Sequence, residues 1–253
     1  MKKSNMEEKC LQPGERLDDL IIQGLKIVQH EKEFCFTLDA VLLAHFAFIK
    51  SGAAAIDLGC GTGAVSLLLL ARGADRVAGV EISPVLADMA RRSAALNGLS
   101  DRFSVLQADF RNIKGILPGG ECELVVSNPP YRPQGHGRIN PNSRIAQARH
   151  EITATLADVV AAARYLVRYR GRFAMVHLPE RMAEVITALR LAGLEPKRLR
   201  MVHSAPDRKP TIFLVESIRG AKPGLDVLPP FIVYNSDGTY TEEICGYYRQ
   251  ELT

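Results

Sequence analysis

The feature that most constrains the fold is an alternation of short β-rich runs with helical patterns through the middle of the chain. Seven runs are rich in apolar and β-branched residues, at 53–58, 76–82, 103–108, 123–128, 172–178, 198–203 and 211–217. Helical patterns separate the earlier runs, at 64–72, 84–96, 156–169 and 179–191. Strands that alternate with helices of this length form parallel sheets with helices on both faces. The sequence therefore predicts an α/β fold with a seven-stranded, doubly wound, mostly parallel sheet.

Local signals indicate where several of these elements begin and end. Ser83 and Pro84 are typical of a helix N-cap and first turn, and Asn97 and Gly98 of a helix end. Thr155, followed three residues later by an acid, is a variant of the capping box. Only residues 204–210 connect the last two strands, which is too short for a helical crossover. We expect these strands to form an antiparallel hairpin at the edge of the sheet.

The remaining segments are predicted to decorate a single core domain. Residues 1–50 form an N-terminal extension that packs on the core, with a β-like stretch at 20–29 and a helix at 40–49 capped by Asp39. Residues 51–218 form the core domain, and residues 219–253 a Pro/Gly-rich tail. The core contains an insert at 132–150 without a regular pattern. Because such long loops are usually functional or disordered, the insert is a candidate functional segment.

Composition excludes several classes of protein. The formal net charge of +4 is too small for a histone-like protein but is compatible with an enzyme that binds a nucleic acid. No apolar run reaches the roughly 18 residues that a membrane span requires. The five cysteines are scattered and form no Cys-x-x-Cys pair, so neither a disulfide framework nor a metal site is predicted. We expect reduced thiols in a cytoplasmic protein.

A glycine-rich loop follows the first core strand and opens the next helix. It contains Asp57, Gly59, Gly61 and Gly63. Glycines at this place permit a tight turn and let a ligand approach the backbone at the carboxyl edge of the sheet. Glu81 ends the second core strand, where an acid is suited to accept hydrogen bonds from ribose hydroxyls.

The ligand of this loop is predicted to be a nucleoside. Asp109 ends the third core strand, near the expected position of an adenine ring. The glycine spacing also fits the dinucleotide fingerprint, in which a helix N-terminus holds a pyrophosphate. The carboxylate of Asp57 would oppose phosphate there, whereas it suits the positive charge of S-adenosylmethionine.

The fourth strand leads into a motif that distinguishes between these ligands, Asn128-Pro129-Pro130-Tyr131. It resembles the motif of S-adenosylmethionine-dependent methyltransferases that act on planar amino groups. The resemblance implies the class I methyltransferase fold, with S-adenosylmethionine as cofactor and S-adenosylhomocysteine as product. The carbonyl groups of Asn128 and Pro129 are predicted to accept hydrogen bonds from the amine, and Tyr131 to stack on a flipped base.

The insert that follows the motif is basic. Residues 131–150 contain no acids, and the candidate RNA-binding residues are Arg132, His136, Arg138, Arg144 and Arg149. A basic segment beside a base-flipping pocket is typical of a polyphosphate-binding lid. A solvated loop without a ligand is the alternative interpretation.

Segments outside these motifs point to a narrower family. Residues 14–20, 34–44, 135–138, 148–151 and 223–240 are similar to the bacterial valine-tRNA adenine-N6 methyltransferases, which modify the adenine at position 37. The resemblance implies that Phe36, Thr37 and Asp39 border the methionine end of the cofactor. It also implies that Glu81 contacts the ribose and Asp109 the adenine. The cofactor site further includes Ile82, Phe110 and Asn128.

Three other functions remain open from the sequence. The same site could methylate guanine-N2 in ribosomal RNA or a protein glutamine, although the basic insert disfavours glutamine. A non-catalytic RNA-binding protein is a second alternative, disfavoured by the presence of Asp57, Glu81 and Asn128. A nicotinamide oxidoreductase is a third, and it leaves the motif at Asn128 unexplained. The sequence predicts no oligomeric state.

Overall fold

The computed structural model of the chain describes residues 10–20, 22–33, 35–129 and 154–249. The strands are β1 (Glu15–Asp19), β2 (Lys26–His30), β3 (Ala54–Leu58), β4 (Arg76–Glu81), β5 (Phe103–Gln107), β6 (Cys122–Ser127), β7 (Val167–His177), β8 (Leu194–His203), β9 (Pro210–Arg219), β10 (Asp226–Val227) and β11 (Phe231–Ile232). The helices are α1 (Leu38–Phe46), α2 (Ala64–Ala71), α3 (Pro84–Leu96), α4 (Leu156–Leu166), α5 (Met182–Leu191) and α6 (Glu242–Arg249). Short 3₁₀ turns cover Phe110–Gly115 and Pro179–Arg181.

The main sheet confirms the predicted α/β class. Its strand order is β5-β4-β3-β6-β7-β9-β8, and β9 runs antiparallel to both β7 and β8 while the other neighbours are parallel. The predicted hairpin is therefore present. It does not form the edge of the sheet, because β10 and β11 pair parallel with the outer side of β8.

Two apolar clusters cover the two faces of this sheet. In β6, Leu124 and Val126 pack in one cluster while Val125 packs in the other, as the two-residue period of a strand requires. The first cluster contains residues of α1, α2 and α3, and the second contains residues of α4 and α5. The sheet is consequently buried on both faces, which explains why its strands have continuous apolar sequences.

The N-terminal extension contains a hairpin rather than the single β-like stretch predicted at 20–29. Strands β1 and β2 pair antiparallel and form a separate two-stranded sheet. The hairpin is fastened to α3, where the Ser93 hydroxyl accepts from Val28 N–H at 2.9 Å and the Asn97 side chain accepts from Lys26 N–H at 2.9 Å. Arg92 of α3 also pairs with Glu15 at 2.6 Å.

Several predicted boundaries were wrong for identifiable reasons. Helix α1 begins at Leu38 instead of residue 40, because Ala40 N–H already bonds the carbonyl of Thr37 at 3.1 Å. Thr37 therefore takes the N-cap position, and Asp39 lies in the first turn. Helix α4 ends at Leu166 instead of residue 169, because Val167 is extended and pairs with β6.

The Pro/Gly-rich tail contains regular structure for which the sequence analysis named no element. Besides β10 and β11 it forms α6, whose Ile244 is fully buried. Tyr247 of α6 stacks on His45 of α1 with ring centroids 4.1 Å apart, and Glu243 pairs with Arg200 of β8 at 2.6 Å. The tail thus packs against both α1 and the main sheet.

Within the described ranges, no helix has the length and apolar character needed to cross a membrane.

Candidate active site

The predicted site residues lie at one edge of the main sheet. Strands β3, β4, β5 and β6 are mutually parallel, so their carboxyl ends coincide. Leu58 pairs in register with Ser127, so Gly59 and Asn128 follow directly at the ends of two neighbouring strands. Crevices at the carboxyl ends of parallel strands are the usual ligand sites of such sheets.

The glycine loop is built for a close approach to the backbone. Gly59 has a left-handed φ of 73°, and among the described residues nothing lies within 4 Å of the position that a Cβ would occupy. Its N–H donates to the Val80 carbonyl at 2.8 Å, which fixes the loop against β4. The open side of Gly59 is therefore available to a ligand.

Gly63, by contrast, is needed for packing. It is the N-cap of α2 with a φ of 93°, and a Cβ there would lie 2.7 Å from the Phe103 ring. Any larger residue would displace Phe103 as well as strain the backbone.

Glu81 anchors the loop through both carboxylate oxygens. Its Oε2 accepts from Gly61 N–H at 2.8 Å, and its Oε1 accepts from Ser83 N–H at 2.9 Å. The residue is only 6% exposed. A carboxylate has about four acceptor sites, so two remain after these bonds. Glu81 is thus held rigidly, and its carboxylate can still accept hydrogen bonds from a pair of hydroxyl groups.

Asp57 is almost completely buried beneath the loop. It is 1% exposed, and its Oδ2 accepts from the Ser66 hydroxyl of α2 at 2.8 Å. Burial raises the pKa of Asp57 to about 7; the bond from Ser66 opposes this rise, and the charge of Glu81 adds to it. Near neutral pH the carboxyl is therefore poised between its two protonation states.

Asp109 has a different environment. It caps the 3₁₀ turn that follows β5, and its carboxylate is bound by the Arg111 side chain, with a shortest distance of 2.6 Å. The Arg111 hydrogen bonds hold the pKa of Asp109 below its usual value. Two apolar residues follow the acids at the ends of β4 and β5, Ile82 and Phe110. Ile82 is 40% exposed, so an apolar surface is open beside the acids.

The predicted catalytic loop begins where β6 ends. Ser127 is fully buried, and its hydroxyl donates to the Leu58 carbonyl at 2.9 Å. This bond ties the residue before Asn128 to the residue before Gly59. Asn128 and Pro129 are half-buried at the edge of the sheet. The catalytic loop and the glycine loop therefore begin at two neighbouring strand ends that this hydrogen bond holds together.

The segment around α1 is positioned by a buried glutamine. Gln29 of β2 is 1% exposed; its Oε1 accepts from Phe36 N–H at 2.9 Å, and its Nε2 donates to Asp18 at 3.0 Å. Phe36 is half-buried against the first apolar cluster. Thr37 is exposed and Asp39 half-buried at the start of α1, a helix that packs on α2.

The other predicted site residues lie outside the described part of the chain: Tyr131, Arg132, His136, Arg138, Arg144 and Arg149. Their assignment remains a prediction. Among the described residues, no group of three or more His, Cys, Asp or Glu side chains is arranged to hold a metal ion.

Sequence reasoning missed the residues that support the site. Ser66, Ser127 and Gln29 are all buried and each bonds a segment of the site. Ser66 had a signal that was not used, since it is the one polar residue of an otherwise apolar helix. A buried hydroxyl in such a helix requires a partner.

Comparisons with known proteins identify the type of domain and its fold. Residues 55–134 match a family model described as "Methyltransferase domain". A predicted O-methyltransferase from Agrobacterium tumefaciens has the same fold, with a TM-score of 0.67, 23% identity, and coverage of 83% of this chain and 95% of that one. A geranyl diphosphate C-methyltransferase from Streptomyces coelicolor, solved with S-adenosyl-L-homocysteine, gives a TM-score of 0.55 at 14% identity over 72% of this chain and 78% of that one.

A curated relative connects the chain to a narrower family. The tRNA1(Val) (adenine(37)-N6)-methyltransferase of Porphyromonas gingivalis is 30% identical over 195 residues, which cover 74% of this chain and 75% of the relative. The segments outside the glycine loop had indicated the same relationship. The chain belongs to the tRNA1(Val) (adenine(37)-N6)-methyltransferase family.

Proposed function

We propose that this chain transfers a methyl group from S-adenosylmethionine to N6 of an adenine in tRNA, at position 37 of a valine tRNA. The observation that supports this most strongly is the juxtaposition of Asn128 with the glycine loop. The hydrogen bond from Ser127 to Leu58 fixes both loops at one sheet edge. A methyl donor on the glycine loop and an amine on Asn128 would then be neighbours.

The residues present fit this cofactor. The open side of Gly59 admits a ligand against the backbone, and Glu81 keeps acceptor sites for two ribose hydroxyls. Ile82 and Phe110 offer apolar surface for an adenine ring. Bound S-adenosylmethionine supplies an electrophilic methyl group and a positive charge. Asp57, ionised in part near neutral pH, contributes a compensating negative charge from beneath the loop.

At Phe36, Thr37 and Asp39 we propose contacts to the methionine end of the cofactor. The bond between Gln29 and Phe36 N–H supports this, because it holds the start of that segment in place. For Asp109 we propose a role toward the adenine base. Its tight pairing with Arg111 implies that Arg111 moves aside, or that Asp109 uses a remaining acceptor site.

Asn128 and Pro129 are proposed to act on the amine itself. The exocyclic nitrogen of adenine is a poor nucleophile because its lone pair is delocalised into the ring. Two carbonyl acceptors aimed at its hydrogens favour a tetrahedral nitrogen and stabilise the charge that develops there. The lack of an N–H in Pro129 and its fixed φ keep the loop stiff. No metal and no covalent intermediate with the protein are needed.

Tyr131 is proposed to stack on the flipped adenine, which would hold the base for the reaction. For Arg132, His136, Arg138, Arg144 and Arg149 we propose contacts to RNA phosphates. The relatives' name supports tRNA as the substrate, and we propose the cytoplasm as the place of action.

The proposal is tested by mass spectrometry of nucleosides from total tRNA of cells with and without this protein. We expect N6-methyladenosine in valine tRNA to depend on the protein. A methyl group on guanine-N2 of ribosomal RNA or on a protein glutamine would keep the site but replace the substrate. Unchanged methylation of RNA and protein alike, together with no binding of S-adenosylmethionine, would favour a non-catalytic RNA-binding protein.

A further inference from the structure

A second surface lies at the same sheet edge as the site, formed by the β8–β9 turn (residues 204–209) and a tail hairpin (residues 233–241). Strand β8 runs parallel to β7, so it ends at the carboxyl edge, and the antiparallel β9 starts there. β11 pairs parallel with the end of β8 and carries the tail hairpin to the same edge. The surface is thus three strands from β6, or about 14 Å along the sheet.

The β8–β9 turn also projects beyond the edge. His177, the last residue of β7, pairs with Phe213, whereas β9 begins at Pro210. Three extra residues of strand amount to roughly 10 Å. The turn and the tail hairpin consequently extend past the same sheet edge at which the glycine and catalytic loops lie.

This surface presents an exposed pair of aromatic rings. Tyr234 and Tyr240 stack with centroids 5.0 Å apart and an interplanar angle of 17°. They remain 38% and 47% exposed. Tyr234 lines a groove of about 730 Å³ together with Arg208 and Asn235. An open π-stack beside a groove can extend to a further flat ring.

The platform is rigid before any ligand binds. Val233 N–H and Tyr234 N–H donate to the carbonyls of His203 and Ser204, both at 2.9 Å, which fixes the tail hairpin to the end of β8. The Asn235 side chain donates to the Tyr240 carbonyl at 3.2 Å and so spans the hairpin. A ligand that stacks here does not have to order the loop, and this reduces the entropic cost of binding.

The charges of the surface are balanced. Arg208 and Lys209 are exposed, as are Asp207 and Asp237. Arg208 makes no side-chain hydrogen bond or ion pair with any residue that the structure describes. Asp237, by contrast, is occupied by the Thr239 N–H and hydroxyl, at 2.9 Å and 2.6 Å. Stacking, rather than release of counterions from phosphates, is therefore the interaction that this surface favours.

We propose that the tyrosine pair binds an unpaired nucleobase of the substrate RNA, a few nucleotides away from the base that is methylated. This inference rests on the proposed function for the identity of the RNA. A π-stack accepts any base, so the contact would anchor the RNA without reading its sequence. The tyrosine pair (Tyr234 and Tyr240) is thus a second RNA contact, separate from Asn128.

The test compares Tyr234→Leu and Tyr240→Leu with Tyr169→Leu. Leucine keeps apolar bulk but removes the ring, and Tyr169 is a matched control because it is 67% exposed at the amino end of β7, on the opposite edge. Stacking of one base corresponds to about 5- to 150-fold in Kd. We expect each site variant to weaken tRNA binding within this range, with an unchanged salt slope. Tyr234→Phe should retain the affinity of the parent protein, as should Tyr169→Leu.

A second readout is independent of methyl transfer. The chain contains no tryptophan, so its emission comes from tyrosine. We expect a short single-stranded RNA to quench this emission, and the double replacement of Tyr234 and Tyr240 by leucine to reduce the quenching. Circular dichroism of each variant verifies folding, and if one of the two leucine variants unfolds, the other still tests the contact.

The two proposals fail in different ways. If the parent protein methylates tRNA adenine but the leucine variants keep its affinity and quenching, the tyrosine contact is wrong and the proposed function stands. The same result would leave a protein partner as the occupant of the groove. If the parent protein does not methylate tRNA but the tyrosines still control RNA binding, the contact is supported and the proposed function fails. If Tyr234→Leu and Tyr240→Leu weaken tRNA binding no more than Tyr169→Leu does, the proposed contact is also wrong.

Discussion

Replacing Asp57 by asparagine should stabilise the cofactor-free protein at neutral and alkaline pH. Asp57 is 1% exposed, and burial raises its pKa from 3.8 to about 7. A charge at this position is therefore costly in the folded state. Asparagine has nearly the same shape, and its side-chain carbonyl can still accept the hydrogen bond from Ser66. The substitution removes the charge while it keeps the packing.

The size and pH dependence of the effect follow from the two pKa values of Asp57. Below pH 3.8 the carboxyl is protonated in both the folded and the unfolded state. As the pH rises from 3.8 to 7, the unfolded state loses its proton first, so the wild-type protein loses stability. A difference of about 3 pKa units corresponds to about 4 kcal/mol above pH 7, and at pH 5 the loss is about 2 kcal/mol.

The assay is denaturant unfolding of the wild-type protein and the Asp57→Asn variant at pH 5 and pH 8, without cofactor. We expect the gain in free energy of unfolding to be about two and a half times as large at pH 8 as at pH 5. Asp109→Asn serves as the control, because the Arg111 hydrogen bonds lower the pKa of Asp109 and predict the opposite sign. A variant that gains no stability at pH 8, or the same amount at both pH values, would refute the electrostatic account of Asp57.

Three further predictions concern ligand binding. Affinity for S-adenosylmethionine, measured by calorimetry, should rise as the pH increases through about 7, because ionised Asp57 favours a cation; the rise should be absent in Asp57→Asn. Glu81→Ala should weaken cofactor binding by about 1.5–3 kcal/mol through loss of a charged acceptor, and an unchanged affinity would show that Glu81 does not bind the ribose. Replacing Arg138, Arg144 and Arg149 by alanine should flatten the plot of log RNA affinity against log salt by roughly 0.7–0.9 per lost phosphate contact. An unchanged slope would favour a solvated insert.

Much of the fold could be predicted because its signals are local. The cap at Ser83 and the capping box at Thr155 are both present as expected, with Thr155 and Asp158 each bonding the backbone of the other. The glycine loop and the acid at Glu81 lie at the expected strand ends, because a parallel sheet brings its carboxyl ends together. Short connections between strands likewise fixed the antiparallel pairing of β8 and β9.

The missed features depend on residues that are distant in sequence. Strands β10 and β11 have two residues each, and their pairing is decided by the free edge of β8 rather than by their own composition. The hairpin at β1 and β2 is held by Ser93 and Asn97, about 70 residues away in the chain. The bond from Ser66 to Asp57 joins a helix to a strand end, and a sequence pattern shows only that Ser66 needs some partner.

The central claim is that Asn128 acts on the amino group of a tRNA adenine. The most direct measurement is single-turnover methyl transfer by the purified protein to valine tRNA, followed by nucleoside mass spectrometry, for the wild type and Asn128→Ala. The account predicts N6-methyladenosine with the wild type. With Asn128→Ala it predicts a rate about 10²–10³ lower and nearly unchanged affinity for S-adenosylmethionine. Transfer by Asn128→Ala at the wild-type rate, or a methyl group found on guanine instead of adenine, would contradict it.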